Sequence, residues 1–419
     1  MPTGRLRVLY VMHTAAPDGS SASLQYLIAH LPRDAVEPFV VSPEGPVADS
    51  LRRSGVPVLP IGGVAMLHSI AGMPLRGRRL IELGRTILNL RHGRALHDAI
   101  ELVGPDVVHL NERGMLQAAI IARRSGAGVV MHARSVSDPT PAWLTRLTRR
   151  IVRRHVDRVI AIDASVQRSL GRIAPSVVVH NPLATQPPPN QPARPPTAQP
   201  RVRVAYLTGL APAKGIWDLM AAAESLRARP DIQFVIAGAN GRSPAFHRSL
   251  SGRLAHVTGL IPDVEAALRR RVLASDLGAT VELVGHVPAA GAVIRGSDIL
   301  VFPSHHDGPG RSVIEAASEG IPSVVALAHR VEDVVVDGET GIIVPPRDPA
   351  ALAAAIVRLA DDPELRTRLG ANARGAVSAR SDPTLVADRV VAIYRDVTLN
   401  RGTASAPRPT PSSDSRSHP

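Results

Sequence analysis

Short apolar runs rich in valine and isoleucine recur along the first part of the chain, and each is followed by a longer segment of helical character. The runs are RVLYVMH, EPFVVSP, DVVHLN, GVVMHARS, RVIAIDA and SVVVHNP. They lack the alternation of apolar and polar residues that marks a strand with one solvated face. Parallel strands that are covered by helices on both faces are apolar throughout. The pattern therefore predicts a doubly wound α/β domain.

The same pattern begins again after a proline-rich segment, TQPPPNQPARPPTAQP, at residues 185–200. Proline disrupts helices and central strands, so we predict an extended linker there. A chain of 419 residues is long enough for two domains. We therefore expect two doubly wound, Rossmann-like α/β domains, residues 1–184 and 201–400, which face each other across a cleft. A final helix closes the chain and can pack back on the N-terminal domain. The tail, residues 401–419, is nearly free of large apolar residues and is predicted to be disordered.

Composition restricts the classes of function. The chain has no cysteine, which excludes disulfides and thiolate metal sites and is compatible with a reducing cytoplasm. The net charge of +13 comes almost entirely from arginine and suits phosphorylated ligands, anionic lipid or nucleic acid. A genomic base composition that favours arginine codons explains the excess equally well. Aromatic residues make up only 2%, which disfavours a stacking platform for nucleic acid. No apolar stretch is long enough for a signal-peptide core or a membrane span, so we expect a cytoplasmic protein.

The loops that follow the strands are the candidates for a site, because open α/β sheets bind ligands outside the carboxyl ends of their strands. After the first strand, Gly19 and Ser20 stand near a helix start, where free amides attract anions or hydroxyls; serine capping explains the same pattern. After GVVMH, we expect His132 to point into the cleft, followed by Arg134. An imidazole there can bind a sugar hydroxyl, although a lone histidine is more often structural.

The corresponding loops of the second domain are rich in glycine. Gly209 and Lys214 follow its first strand, and a lysine at a helix start suits a diphosphate. The segment lacks the Walker pattern of nucleoside triphosphatases. A further turn, IAGANGRS, offers Gly238 and Asn240 for close backbone contact with a ligand, or is a plain turn.

Two acids, Asp307 and Glu315, flank a Gly-Pro-Gly turn in the sequence HHDGPGRSVIE. The turn lies between a predicted strand and a predicted helix, so it exposes the amides of Gly308, Gly310 and Arg311. We expect Glu315 in the first helical turn, where the helix dipole favours its charge. An approximate capping box, with Arg311 or the following serine as N-cap, explains the same spacing.

Taken in chain order, these loops resemble those of the retaining glycosyltransferases of family four, which have the GT-B fold. The resemblance covers residues 5–396. Its strongest block in the family is an acidic residue, seven others and a glutamate, then a Gly-x-Pro-Val-Val-Ala strand and an Asp-Gly-x-Thr-Gly turn. This chain has Asp307, Glu315, GIPSVVA and DGETG in that order. Supporting matches are APAKG, VELVGHV, DRVIAIDASVQRSL and VVVHNPL.

The resemblance implies transfer of a sugar from a nucleotide diphosphate donor with retention of configuration. It implies that Glu315 holds the ribose hydroxyls and that Asp307 faces the donor hexose. It also implies that Lys214 neutralises the diphosphate and that His132 contacts the sugar near the reacting carbon. The implied donor-binding loops contain Gly209, Gly238, Asn240, Gly308, Gly310 and Arg311. The implied acceptor-side loops contain Gly19, Ser20 and Arg134.

Two positions depart from the family pattern. Gly209 stands where the family has the arginine of an Arg-x4-Lys diphosphate clamp, so one charge partner of the leaving group is missing. Arg311 or Arg134 could supply that charge from another loop. Asp307 is one methylene shorter than the usual glutamate, which leaves the donor hexose open. No acidic metal triad or Asp-x-Asp strand end is present, so the sequence requires no metal ion or other cofactor.

These features predict a retaining hexosyltransferase with a nucleotide-sugar donor and a glycan, lipid-linked or small-molecule acceptor. A nucleotide-sugar epimerase of the same fold and a non-catalytic sugar-nucleotide or glycan-binding protein are the alternatives. Basic helices of the first domain, such as PAWLTRLTRRIVRRHVDRV, either lie on anionic lipid at the inner face of the membrane or form a solvated face above a buried stripe. No nucleic-acid-binding motif is present.

Overall fold

A computed structural model of the chain shows two α/β domains, each built on a parallel sheet. The structure describes residues 4–16, 18–66, 84, 87–136, 142–171, 175–183, 201–238, 249, 263–287, 290–329 and 333–404. The predicted linker at 185–200 and the site residue Asn240 lie outside these ranges. The two-domain α/β architecture predicted from the apolar runs is confirmed.

The first domain is a sheet flanked by helices. Its strands are β1 (Leu6–Val11), β2 (Val36–Ser42), β3 (Val58–Pro60), β4 (Val107–Leu110), β5 (Gly128–Ala133), β6 (Arg158–Ala161) and β7 (Ser176–Val178). Its helices are α1 (Gly19–His30), α2 (Pro46–Arg53), α3 (Gly93–Val103), α4 (Leu116–Arg124), α5 (Ala142–His155) and α6 (Ala164–Leu170). The strand order is β3-β2-β1-β4-β5-β6-β7, so the winding reverses between β1 and β4. Ligands of such sheets bind at the reversal.

The second domain repeats this plan. Its strands are β8 (Val202–Leu207), β9 (Ile232–Ala237), β10 (Val281–Gly285), β11 (Ile299–Phe302), β12 (Ser323–Ala326) and β13 (Gly341–Val344). Its helices are α7 (Ile216–Ser225), α8 (Val264–Ala274), α9 (Ala290–Arg295), α10 (Arg311–Ser318), α11 (Pro349–Asp361) and α12 (Pro363–Arg380). The order is β10-β9-β8-β11-β12-β13, with the reversal between β8 and β11. Both reversals face the space between the domains, where one cleft has walls from both sheets.

Burial explains why the central strands show no alternation in the sequence. Every residue of β4, β5, β11 and β12 is buried, because helices cover both faces of each sheet. The edge strand β10 does alternate between buried and more exposed residues. The apolar runs were therefore the correct signal for the interior of each sheet.

The last helix, α13 (Pro383–Ala404), returns from the second domain to the first. Its buried side chains, including Val390 and Tyr394, belong to the same core cluster as residues of β1 and α1. The expected disordered tail begins too early by four residues, because α13 runs through 401–404. Arg401 holds this end in place: its Nε lies 3.2 Å from Asp157 Oδ2, and its Nη1 donates to backbone carbonyls next to β5.

Candidate active site

A cleft of about 910 Å³ lies between the two domains, at the carboxyl ends of both sheets. The residues predicted from sequence that line it are Gly19, Ser20, Arg134, Gly209, Lys214, Gly238, Asp307, Gly308, Gly310, Arg311 and Glu315. Lining residues that the sequence reasoning missed include Arg113, Asp163, Asn181, His286 and His306. Each of these comes shortly after a strand, so the rule that located the other loops could have found them as well.

The loop after β1 is organised by Asp18, which the sequence reasoning also missed. Its side chain accepts a hydrogen bond from the amide of Ser21 at 2.8 Å, and the Ser21 hydroxyl accepts from the Asp18 amide at 2.9 Å. This reciprocal pair caps α1. Ser20 donates to the same carboxylate at 2.7 Å, so Gly19 and Ser20 form the first turn of the helix at the cleft wall. The cap is thus aspartate, and the serines support it.

Lys214 is placed by a short 3-10 turn, Pro212–Lys214, that follows β8. The next residue, Gly215, has a left-handed backbone with φ of 73°, and a Cβ there would lie 1.8 Å from the carbonyl oxygen of Pro303. Only glycine allows this approach, which brings the Lys214 turn against the end of β11. The Lys214 ammonium lies 5.7 Å from the centre of the Phe302 ring, in favourable cation–π range.

The helix start at the Gly-Pro-Gly turn differs from the expectation. Gly310 is the N-cap of α10, with extended backbone and no side chain that could cap. The helix begins at Arg311, so Glu315 lies in its second turn and the first turn contains no acidic residue. The predicted capping box and the predicted dipole effect on Glu315 are therefore wrong. The amides at this helix start have no capping side chain, which suits them to an anionic ligand.

Glu315 is instead paired with Arg311, one helical turn earlier. Arg311 Nε donates to Glu315 Oε1 at 2.6 Å, and Arg311 Nη1 donates to the Ser23 hydroxyl of the other domain at 2.8 Å. Arg311 therefore links α10 to α1 across the cleft. The pair lines the cavity and is only partly exposed.

Asp307 is held by the loop that follows β12. Its Oδ2 lies 2.6 Å from His329 Nδ1, and its Oδ1 accepts from the amide of Ala328 at 2.7 Å. Burial acts to raise the pKa of Asp307, but these hydrogen bonds outweigh it and hold the pKa below its ordinary value. Asp307 is thus a carboxylate at neutral pH whose oxygens are already engaged at the cleft wall.

His132 does not point into the cleft as the sequence predicted. Its side chain is buried, with its Nδ1 3.3 Å from Nε2 of His109 on β4 and 3.3 Å from Nη2 of Arg134. Burial, and then the charge of Arg134, lower the pKa of His132 well below its ordinary value. His132 is a neutral imidazole in the layer beneath the cleft, and Arg134 occupies the lining position above it. The predicted direct contact between His132 and the donor sugar is not supported by this geometry.

Two carboxylates lie at the start of α6, and one of them comes from the second domain. Asp163 caps α6 by accepting from the amide of Val166 at 2.7 Å, and Asp333 of the second domain accepts from the amide of Ala164 at 2.6 Å. Burial raises the pKa of Asp163 to about 6, and the nearby charge of Asp333 acts in the same direction. This contact fixes how α6 meets the second domain.

The paired parallel sheets, with one cleft at their facing strand ends, have the arrangement of the GT-B fold. Family models identify the chain as a glycosyltransferase: Glycosyltransferase Family 4 matches residues 17–187, and Glycosyl transferases group 1 matches residues 189–376. Since the two matches together account for most of the chain, the chain belongs to family four of the glycosyltransferases. The resemblance stated from its motifs is confirmed.

Individual relatives agree with this assignment. The chain is 31% identical to Alpha-D-kanosaminyltransferase of Streptomyces kanamyceticus over 199 residues, which is 47% of this chain and 46% of the relative. It is 32% identical to D-inositol 3-phosphate glycosyltransferase of Corynebacterium efficiens over 176 residues, which is 41% of this chain and 37% of the relative. The matched part thus spans less than half the length of these relatives. The crystal structure of Anabaena HepE in complex with UDP superposes with a TM-score of 0.71 at 18% identity, over 93% of this chain and all of HepE, which shows the common fold.

Proposed function

We propose that the chain transfers a hexose from a nucleotide diphosphate sugar to a glycan, lipid-linked or small-molecule acceptor, with retention of configuration. The observation that carries this proposal is the composition of the cleft. Lys214, Arg311 and Arg134 line one cavity together with the uncapped start of α10. Cations and free amides that converge on one space are suited to bind a diphosphate.

The same groups can assist departure of the nucleotide diphosphate. Negative charge grows on the leaving phosphate as the bond to the sugar breaks, and fixed donors that are aimed at it lower the barrier. The Lys214 turn and the start of α10 come from adjacent strands, β8 and β11, so both can face one diphosphate. Glu315 uses Oε1 for Arg311, which leaves Oε2 for a ribose hydroxyl.

The relatives indicate which donor to test first. The HepE structure contains UDP, and another HepE structure contains UDP-glucose. We therefore choose UDP, uridine and UDP-glucose as probes. Transfer of glucose to an added acceptor, or slow release of UDP by hydrolysis, would support a transferase. Interconversion of the sugar without an acceptor would indicate an epimerase, and binding with no reaction would indicate a binding protein.

Replacing Glu315 by glutamine is expected to weaken UDP binding about 10- to 100-fold, because a hydrogen bond to a charged group is lost at the ribose. Calorimetry measures the affinity, and inorganic pyrophosphate, which has no ribose, should bind to the variant at least as tightly as to the wild type, since Arg311 keeps its charge and loses its carboxylate partner. Glu319→Gln is the matched control, since Glu319 has similar exposure but pairs with Arg295 outside the cleft. Equal UDP affinity in the Glu315 variant and the wild type would refute the ribose role.

We also propose that helix α5 rests on an anionic membrane surface and brings the first domain to a lipid-linked acceptor. Leu144 and Val152 form its buried stripe, while Trp143 and Leu147 are exposed. The exposed part of the helix also carries five arginines, Arg146, Arg149, Arg150, Arg153 and Arg154. Exposed apolar side chains among arginines, with no acid on the helix, suit a bilayer with anionic headgroups. Within the described residues, no helix is long and apolar enough to cross a membrane.

Reversing two of these charges should release the protein from anionic vesicles. Each arginine near such a surface contributes about 1 kcal/mol, so Arg146→Glu with Arg150→Glu should weaken binding at least tenfold. The measurement is co-sedimentation with phosphatidylglycerol vesicles at low and high salt. Arg368→Glu with Arg389→Glu makes the same charge change on exposed positions of the other helices α12 and α13 and should bind as the wild type does. Wild-type binding that neither salt nor the α5 variant reduces would contradict the proposal.

A further inference from the structure

Arg134 is a deeply buried cation at the wall of the cleft. It is 9% exposed, and its guanidinium donates to Asn111 Oδ1 at 2.6 Å and to Asn181 Oδ1 at 2.7 Å. A third nitrogen lies 3.3 Å from His132 Nδ1. These three partners are all neutral. Among the described residues, no carboxylate lies within ion-pair distance of Arg134, which leaves a buried positive charge beside an open cavity.

The nearest acid does not compensate this charge directly. Glu112 Oε1 accepts from the amide of Arg113 at 2.8 Å and from the Ser135 hydroxyl at 3.3 Å, and its contact with Arg134 is to the backbone amide at 3.4 Å. Burial lowers the pKa of Arg134 to about 10, so the group remains charged at neutral pH. Burying an unpaired charge is costly, and an anionic ligand in the cleft would offset that cost.

The position of Arg134 points to the donor phosphates as that anion. Two residues further along, Val136 packs on the glycine turn of the second domain: a Cβ on Gly308 would lie 2.9 Å from Val136 Cγ2. The Arg134 loop therefore adjoins the uncapped start of α10. Arg311 is close enough for its positive charge to repel that of Arg134 and lower its pKa. Arg311 itself is already hydrogen-bonded to Glu315 and Ser23.

Beneath the cleft, a chain of buried side chains connects Arg134 to helix α13. Tyr394 Oη lies 2.7 Å from His109 Nδ1 and 3.2 Å from the hydroxyl of Tyr10, and His109 Nε2 lies 3.3 Å from His132 Nδ1. Burial, and then the charge of Arg134, lower the pKa of His109, so both imidazoles are neutral.

The direction of these hydrogen bonds follows from Arg134, which can only donate. His132 Nδ1 must accept, so its proton is on Nε2. His109 then donates from Nε2, and its Nδ1 accepts from the Tyr394 hydroxyl. In this arrangement each contact from Tyr394 to Arg134 has one donor and one acceptor, and the proton on His132 Nε2 is buried without a partner among the described residues. The Tyr394 hydroxyl on the last helix is thus the outermost donor of this chain and supports the tautomers that hold the guanidinium in place.

We propose that Arg134 is the second cation of the donor diphosphate site, in place of the arginine that is absent at Gly209, and that Tyr394 is its positioning residue. This inference rests on the proposed use of a nucleotide diphosphate sugar. The positive charge that is missing at Gly209 of the second domain would then come from Arg134 of the first domain. A tight diphosphate site therefore exists only while the two domains face each other.

Calorimetry with UDP, uridine and inorganic pyrophosphate tests the role of Arg134. Arg134→Gln should weaken UDP and pyrophosphate binding about 10- to 100-fold, the loss expected for charge-assisted hydrogen bonds, and should leave uridine binding unchanged. Arg368→Gln removes an exposed charge outside the cleft and should change none of the three affinities. If the variant binds UDP as the wild type does, this inference is wrong and the proposed function stands. If the wild type binds neither UDP nor pyrophosphate, both proposals fail.

Tyr394→Phe tests the buried chain, because it removes one hydroxyl and keeps the ring. We expect UDP binding several-fold weaker, with no further loss when it is combined with Arg134→Gln, since the two residues act through one path. Tyr10→Phe is the matched control: Tyr10 is equally buried, its ring packs against His109, and its hydroxyl contacts Tyr394. The variant keeps the ring, and loss of this hydroxyl should not change UDP affinity. Equal effects of the two tyrosine variants, or additive effects of Tyr394 and Arg134, would show a structural role only.

Discussion

Replacing Lys214 by methionine should lower kcat for sugar transfer about 100- to 1000-fold, the range found when one preorganised donor to a developing anion is removed. Methionine keeps much of the length and apolar contact of the side chain over Phe302 but removes the charge. UDP binding should weaken less than turnover, because the charge on the leaving phosphate grows only as the bond to the sugar breaks. Steady-state kinetics with UDP-glucose, or with another donor that the chain accepts, measure both quantities.

Lys214 is the only lysine of the chain, which gives this prediction a direct physical readout. Reductive methylation with labelled formaldehyde introduces one lysine signal, and its NMR shift should move when UDP is added and stay unchanged with uridine. Lys214→Arg is the control that keeps the charge, and it should retain most of the UDP affinity. A methionine variant with turnover within about threefold of wild type would exclude Lys214 from leaving-group stabilisation.

The sequence allowed the sheets and most of the cleft to be predicted because both follow from local rules. Buried strands are visible in the sequence as apolar runs. The loops that follow them lie at the carboxyl ends of the sheet, where the strand order reverses and ligands bind. Lys214 and Glu315 were found in this way, and the structure places both in the cleft. The family motifs added their expected roles, which the binding experiments test.

The depth of His132 could not be predicted by the same reasoning. Its residue type and its place near the end of β5 suggested a cleft residue, but Arg134 takes the lining position and the other buried partners of His132 come from elsewhere in the fold. His109 lies on the neighbouring strand, and its partner Tyr394 is 285 positions further along the chain. The predicted capping box of α10 was wrong for another reason. The extended backbone of Gly310 sets the helix start, and the side-chain pattern of the sequence gives no sign of it. Partners that are distant in sequence decide the surroundings of His132, and a local backbone conformation decides the start of α10.

The same distant helix leads to the prediction with the largest expected effect on stability. Replacing Val390 by aspartate should lower the free energy of unfolding of the first domain by about 4 kcal/mol or more, since it places an unpaired charge in a core. Val390 is fully buried in the cluster that also contains Leu6, Val8 and Leu24 of the first domain. Although the helix follows the second domain in sequence, the first domain depends on it for part of its core.

Hydrogen exchange can show which domain the change affects. In Val390→Asp, amides of β1 and β4 should exchange faster, while those of β8 and β11 keep their protection, because no residue of α13 belongs to the core of the second sheet as far as the structure describes it. Ala392→Asp adds the same charge at an exposed position of the same helix, and its exchange should match that of the wild type. If both variants were equally stable, or if the second sheet lost protection first, α13 would not be a structural part of the first domain. In that case Tyr394, which lies on the same helix, could not position Arg134. The experiment therefore tests the buried chain as well as the stability of the first domain.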